Sequence, residues 1–110
     1  MENRKYFFKG HARSDIAKIR QYTINHWGHN QWYNYKTALF KKIQALANNP
    51  QIGLNIDEIS PDAFRFPIKN HVIYYLRKED KVIFVGVLSS GMSPEKHLKR
   101  EKNISNELHF

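Results

Sequence analysis

Three consecutive aromatics, Tyr6-Phe7-Phe8, sit in the short run from Arg4 to Lys9 and stop at Gly10, a pattern that predicts a first strand closed by a turn. From His11 the apolar period changes. Ala12, Ile16, Ile19, Thr23 and Trp27 recur every three or four residues, which predicts one face of an amphipathic helix, and Gly28 supplies its natural end. A second helical pattern runs from about His29 to Asn48, with Trp32, Tyr35, Leu39, Ile43 and Leu46 on one face, and Asn49-Pro50 ends it. Two helices joined by one glycine turn run roughly antiparallel, so an αα-hairpin is expected.

No period persists through residues 51–62, which read as a polar linker. Three strand-like runs follow, Ala63–Pro67, His71–Leu76 and Val82–Leu88, separated by Lys69-Asn70 and by the charged Arg77–Asp80 stretch. Beyond them, Ser93-Pro94-Glu95 has the form of an N-cap, a proline and a first-turn acid opening a short helix. The sum is an α+β fold of order β-α-α-β-β-β with a short final helix: an antiparallel sheet with the helical hairpin packed on one face. A single domain over residues 1–98 is expected, followed by a flexible C-terminal tail over 99–110.

Composition narrows the partners. The 110 residues contain no cysteine, which excludes disulfides and thiolate metal sites and makes the cytoplasm the expected compartment; no apolar run approaches the length of a membrane span. The 18 Lys and Arg against 10 Asp and Glu give a net charge of +8, which favours a polyanion or an acidic protein. Basic and aromatic residues do alternate in places, but strand aromatics usually pack the sheet, so direct nucleic-acid binding is not the leading expectation and a non-toxic nucleic-acid-binding module stands as an alternative.

Candidate chemistry is sparse. His26 and His29 straddle Gly28 without a carboxylate to complete a metal shell, and the pairs Asp57-Glu58 and Glu79-Asp80 read as solvated turn residues. No phosphate loop, nucleophile elbow or HExxH motif is present. These patterns predict neither a catalytic residue, a metal nor a cofactor. Alternation in HVIYY places His71, Ile73 and Tyr75 on one sheet face, where a backbone hydrogen bond is the simplest role for His71; Trp27 is expected to cap the helical seam. Trp32, Tyr33 and Tyr35 cannot all face the sheet, because neighbours on a helix point about 100° apart. Some aromatic surface is therefore left for a partner.

The motifs, taken in order, resemble the ParE toxins of the RelE/ParE superfamily. The resemblance is carried by A-x-x-D-I-x-x-I-x-x-Y-T in Ala12–Thr23, Trp27-Gly28, Gln31 and Tyr35, L-A-N-N-P-x-x-G over Leu46–Gly53, F-R-F-P and H-V-I-Y-Y over Phe64–Tyr75, V-x-V-L over Val85–Leu88, and M-x-P-x-x-H-L over Met92–Leu98. It spans roughly residues 6–98. It implies the toxic half of a type II toxin–antitoxin pair, of the kind linked to plasmid stabilisation, that inhibits DNA gyrase by protein–protein binding. It further implies neutralisation by a ParD-like antitoxin with an acidic C-terminal segment. RelE-like relatives instead cleave messenger RNA on the ribosome, using basic residues at positions that align with Val72 and Gly91, neither of which carries charge. A ribonuclease would have to use Arg65, His71, Arg77 or His97 in a rearranged site. The ParE segment V-L-H-x-R-M-D is also altered, reading Val87-Leu88-Ser89-Ser90-Gly91-Met92-Ser93, a departure that bears on toxicity rather than fold. On this resemblance the target-binding candidates are Arg65, His71, Tyr75, Ser89, Ser90, Met92 and His97, and the antitoxin-binding candidates are Tyr22, Trp32, Tyr33 and Lys36.

Overall fold

The computed structural model describes residues 4–90. Its order is β1 (Tyr6–Phe8), α1 (Ala12–Trp27), α2 (His29–Asn48), a 3₁₀ turn at Pro50–Ile52, β2 (Leu54–Asn55), β3 (Ala63–Ile68), β4 (His71–Arg77) and β5 (Val82–Ser89). The α+β class, the helical hairpin and the three C-terminal strands are as expected. The short helix at Ser93 and the tail lie outside the described residues.

The five strands form one sheet in the order β1-β5-β4-β3-β2. The sheet is mixed rather than wholly antiparallel, since β1 runs parallel to β5 with Tyr6 opposite Val82 and Phe8 opposite Phe84. The reason is topological: the hairpin returns the chain to its starting end, and the meander then brings β5 alongside β1 in the same sense. β2 lies inside the expected linker. Its two residues pair with Arg65 and Phe64 of β3, too short a run to show any period.

Strand alternation splits the core in two. Ile73, Tyr75, Phe84 and Val87 meet Ile19, Trp32, Tyr35, Leu39, Ile43 and Leu46 of the helices. Tyr74, Leu76, Ile83, Val85 and Leu88 face the other way and pack with Ile56, Ile59 and Ala63. Burying a large apolar side chain contributes about 2 kcal/mol, so the α2 stripe alone anchors the hairpin to the sheet.

Two contacts set the geometry at the ends. Gly28, at φ 94°, turns α1 directly into α2 in a conformation that a side chain disfavours. Gly53 lies where a Cβ would overlap the Tyr75 hydroxyl and come within 2.9 Å of the Arg65 carbonyl oxygen, so only glycine fits beneath β3. Trp27 does not cap the seam. It is 70% exposed, because Trp32 from the first turn of α2 fills that end of the core instead.

Candidate functional site

An acid on an apolar stripe builds the site. Asp15 lies between Ala12 and Ile19 on the buried face of α1 and is only 7% exposed. The parallel partner β1 ends at Phe8, level with Phe84, so among the described residues no strand lies on that side of the later part of β5. There the Asp15 carboxylate accepts a hydrogen bond from the Val87 backbone N–H at 3.0 Å. A side chain thus takes the place of a strand partner at this position, satisfying a buried donor and fixing α1 over the end of β5.

Between α1 and the β4/β5 ends lies a cleft of about 640 Å³, lined by Asp15, Lys18, Ile19, Tyr22 and Thr23 on one side and by Asn70, His71, Val87, Leu88 and Ser89 on the other. His71 and Ser89 are cross-strand partners. The two-residue turn Lys69-Asn70 sets this edge, with Lys69 at φ 53° and the Asn70 carbonyl accepting from the Ser90 N–H at 3.0 Å.

His71 bonds to a side chain rather than to backbone. Its Nδ1 is 2.7 Å from the Tyr35 hydroxyl, and the two rings meet edge-on with centroids 5.5 Å apart. Burial lowers the His71 pKa and pushes the Tyr35 phenol up to about 12, so near neutral pH the ring is uncharged and the phenol keeps its proton. The pairing we assign has the hydroxyl donating to Nδ1, which leaves the ring proton on Nε2. The cleft therefore combines an apolar floor, a neutral imidazole, a serine hydroxyl and one lysine.

The expected site residues scatter in an informative way. His71 and Ser89 share the cleft with Tyr22, which had been placed in the antitoxin group; Ser90 follows on its rim. Arg65 belongs elsewhere. It points to the opposite sheet face, pairs with Tyr74 across the strands and lines a separate groove with Ile52, Leu54 and Pro67. Its charge and hydrogen bond partly offset the burial that raises the Tyr74 phenol, so its partner is Tyr74 and not Asp57 or Glu58. Tyr75 is fully buried and donates to the Pro50 carbonyl at 2.7 Å, which makes it a core residue rather than a contact surface. Met92 and His97 lie outside the described residues.

Among the antitoxin candidates, Trp32 is buried in the helix–sheet core and offers no open surface. Tyr33 and Lys36 are exposed on α2, as is Tyr22 on α1. Tyr22 stacks on His26 at 3.9 Å, and the His26 Nδ1 donates to the Tyr22 carbonyl. Of the residues a ribonuclease would need, the three described do not converge: Arg77 ends β4, six residues and about 20 Å from His71, and Arg65 lies on the other face. Among the described residues no group of three or more His, Cys, Asp or Glu could hold a metal. No described helix is long and apolar enough to cross a membrane. Asp15, Lys18 and Thr23 were missed in the sequence, although an acid at a core position of α1 was the available signal.

Fold and site together define a small α+β protein with an open cleft set between a helix and the end of a sheet. The sequence pattern of the family described as ParE toxin of type II toxin-antitoxin system, parDE, matches residues 6–94, and the chain belongs to that family. It is 28% identical to Toxin ParE1 of Mycobacterium tuberculosis over 95 residues, covering 86% of this chain and 97% of that protein. It is 27% identical to Toxin ParE1 of Caulobacter vibrioides over 93 residues, covering 84% and 96%.

Proposed function

We propose that this ParE toxin acts in the cytoplasm by binding DNA gyrase without catalysis, halting replication, and that a ParD-like antitoxin with an acidic segment neutralises it. The observation that carries the reading is the cleft, where Tyr22, His71 and Ser89 line one cavity. A partner that buries Tyr22 also covers His71 and Ser89. The antitoxin then silences the toxin by occupying the surface that the target needs, and the net charge of +8 speeds its encounter. Ser90 follows Ser89 in the chain, whereas Tyr33 and Lys36 extend the antitoxin's footprint onto α2.

A supercoiling assay with purified gyrase tests the proposal. The chain should inhibit supercoiling, Tyr22→Ala and Ser89→Arg should each relieve inhibition, and the antitoxin encoded beside it should abolish it. Undiminished supercoiling at a large molar excess of folded toxin would sink the reading.

A further inference from the structure

At the end of the sheet away from the cleft, where Arg77 pairs with Val82, an open cavity of about 440 Å³ has Arg4, Arg77 and Lys78 in its wall. Backbone bonds hold that wall: the Arg77 N–H donates to the Asp62 carbonyl and the Lys78 N–H to the Lys81 carbonyl, each at 2.9 Å. Arg4 is fixed from α2. The Asn48 side chain accepts from its N–H at 2.8 Å, and Gln44 Nε2 donates to its carbonyl at 3.0 Å. The guanidinium groups are placed as well, since Arg4 Nη2 donates to the Glu79 carbonyl at 3.4 Å and the Arg77 guanidinium sits 5.5 Å from the centre of the Phe64 ring. Lys78 is paired with Asp62 at 3.2 Å, whereas among the described residues neither arginine has a carboxylate partner. The Pro50 carbonyl, which would repel an anion, already accepts the Tyr75 hydroxyl.

We propose that this cavity binds the phosphate group of a small molecule, free or as a monoester, between Arg4 and Arg77. Planar guanidinium forks match a phosphate with paired, charge-assisted N–H bonds. Two unpaired cations also balance a dianion, which is the main form of a phosphate above its second pKa of about 6. A single carboxylate carries one charge and answers one of the two arginines. Glu79 lines the same cavity without a cation of its own among the described residues, so its carboxylate opposes the ligand and restrains affinity. Binding would clamp the segment before β1 to the turn between β4 and β5, two parts of the chain that are far apart in sequence. Arg77 lies about 20 Å from His71, so this site is separate from the cleft and independent of the gyrase reading.

The test is isothermal titration of the full chain with inorganic phosphate, ribose 5-phosphate and succinate, at constant ionic strength and about pH 7.5, where phosphate is mainly the dianion. Saturable binding of the phosphate probes is expected. Tighter binding of ribose 5-phosphate identifies a monoester as the ligand, and equal or weaker binding identifies the free ion. Arg4→Gln and Arg77→Gln should each weaken binding about tenfold or more, the fold-change of one lost hydrogen bond to a charged group. Both side chains are exposed, so these variants keep the fold, which circular dichroism checks. Glu79→Gln should tighten binding by about threefold. Lys36→Gln, an equal change of charge on α2 outside the cavity, should alter it by less than about twofold. The proposal is overturned if neither phosphate probe binds saturably, if Lys36→Gln loses as much as the arginine variants, or if succinate binds more tightly than both phosphates.

Discussion

Replacing Asp15 by alanine tests how the cleft is held. The substitution removes a charged acceptor and leaves the Val87 N–H, in a strand residue only 3% exposed, without its side-chain partner. A hydrogen bond to a charged group contributes about 1.5–3 kcal/mol, and an orphaned buried donor costs about the same. We therefore expect a loss of about 2–3 kcal/mol. For a chain of 110 residues the unfolding entropy is about 0.23 kcal/mol/K, so each kcal/mol shifts the midpoint by about 4 °C. Thermal unfolding followed by circular dichroism should show a fall of roughly 8–13 °C for Asp15→Ala. Asp15→Asn keeps an oxygen acceptor and should lose less than half as much. If Asp15→Ala unfolds within about 2 °C of the parent, or Asp15→Asn is equally damaging, the carboxylate does not do what we assign to it.

Three further outcomes follow from the same contacts. Gly53→Ala should destabilise by more than about 2 kcal/mol, and the combination with Tyr75→Phe by less than the sum of the two, because removing the hydroxyl relieves the overlap; a denaturant double-mutant cycle measures this. Tyr35 and Tyr75 both have phenols raised to about 12 from 10 by burial, so the folded state holds their protons longer. The stability they contribute is intact below pH 10 and is lost between pH 10 and 12, by roughly 2–3 kcal/mol each, and Tyr75→Phe should shrink the alkaline loss seen in urea titrations. His71 behaves oppositely. Its folded pKa is lowered, so the unfolded chain binds its proton first and stability falls as pH drops below 6.5 toward the folded value, a decline that His71→Gln should flatten.

The elements that could be read from sequence were those long enough to repeat. The α2 stripe from Trp32 to Leu46 and the alternation of His71–Leu76 each show several turns of a period, and both formed as expected. β2 could not be found this way, because Leu54 and Asn55 are two residues held by pairing with β3. The parallel pairing of β1 with β5 joins residues some 76 apart, as Tyr6 and Val82 show, and no local pattern encodes it. The site was partly visible. His71 and Ser89 belong to one hairpin end and were placed together, whereas Arg65 was misassigned because a strand residue's face depends on register. Tyr75 and Trp32 were named as contact candidates, yet both are consumed by core packing that only tertiary contacts define.

The central claim is that the chain is a toxin acting on gyrase, and induced expression in bacteria lacking the antitoxin tests it most directly. DNA and protein synthesis are followed by pulse labelling in the same arrested cells. The account predicts that growth stops with DNA synthesis failing first, and that Tyr22→Ala and Ser89→Arg restore growth. Protein synthesis failing first, or unimpaired growth at full expression of folded protein, would contradict it.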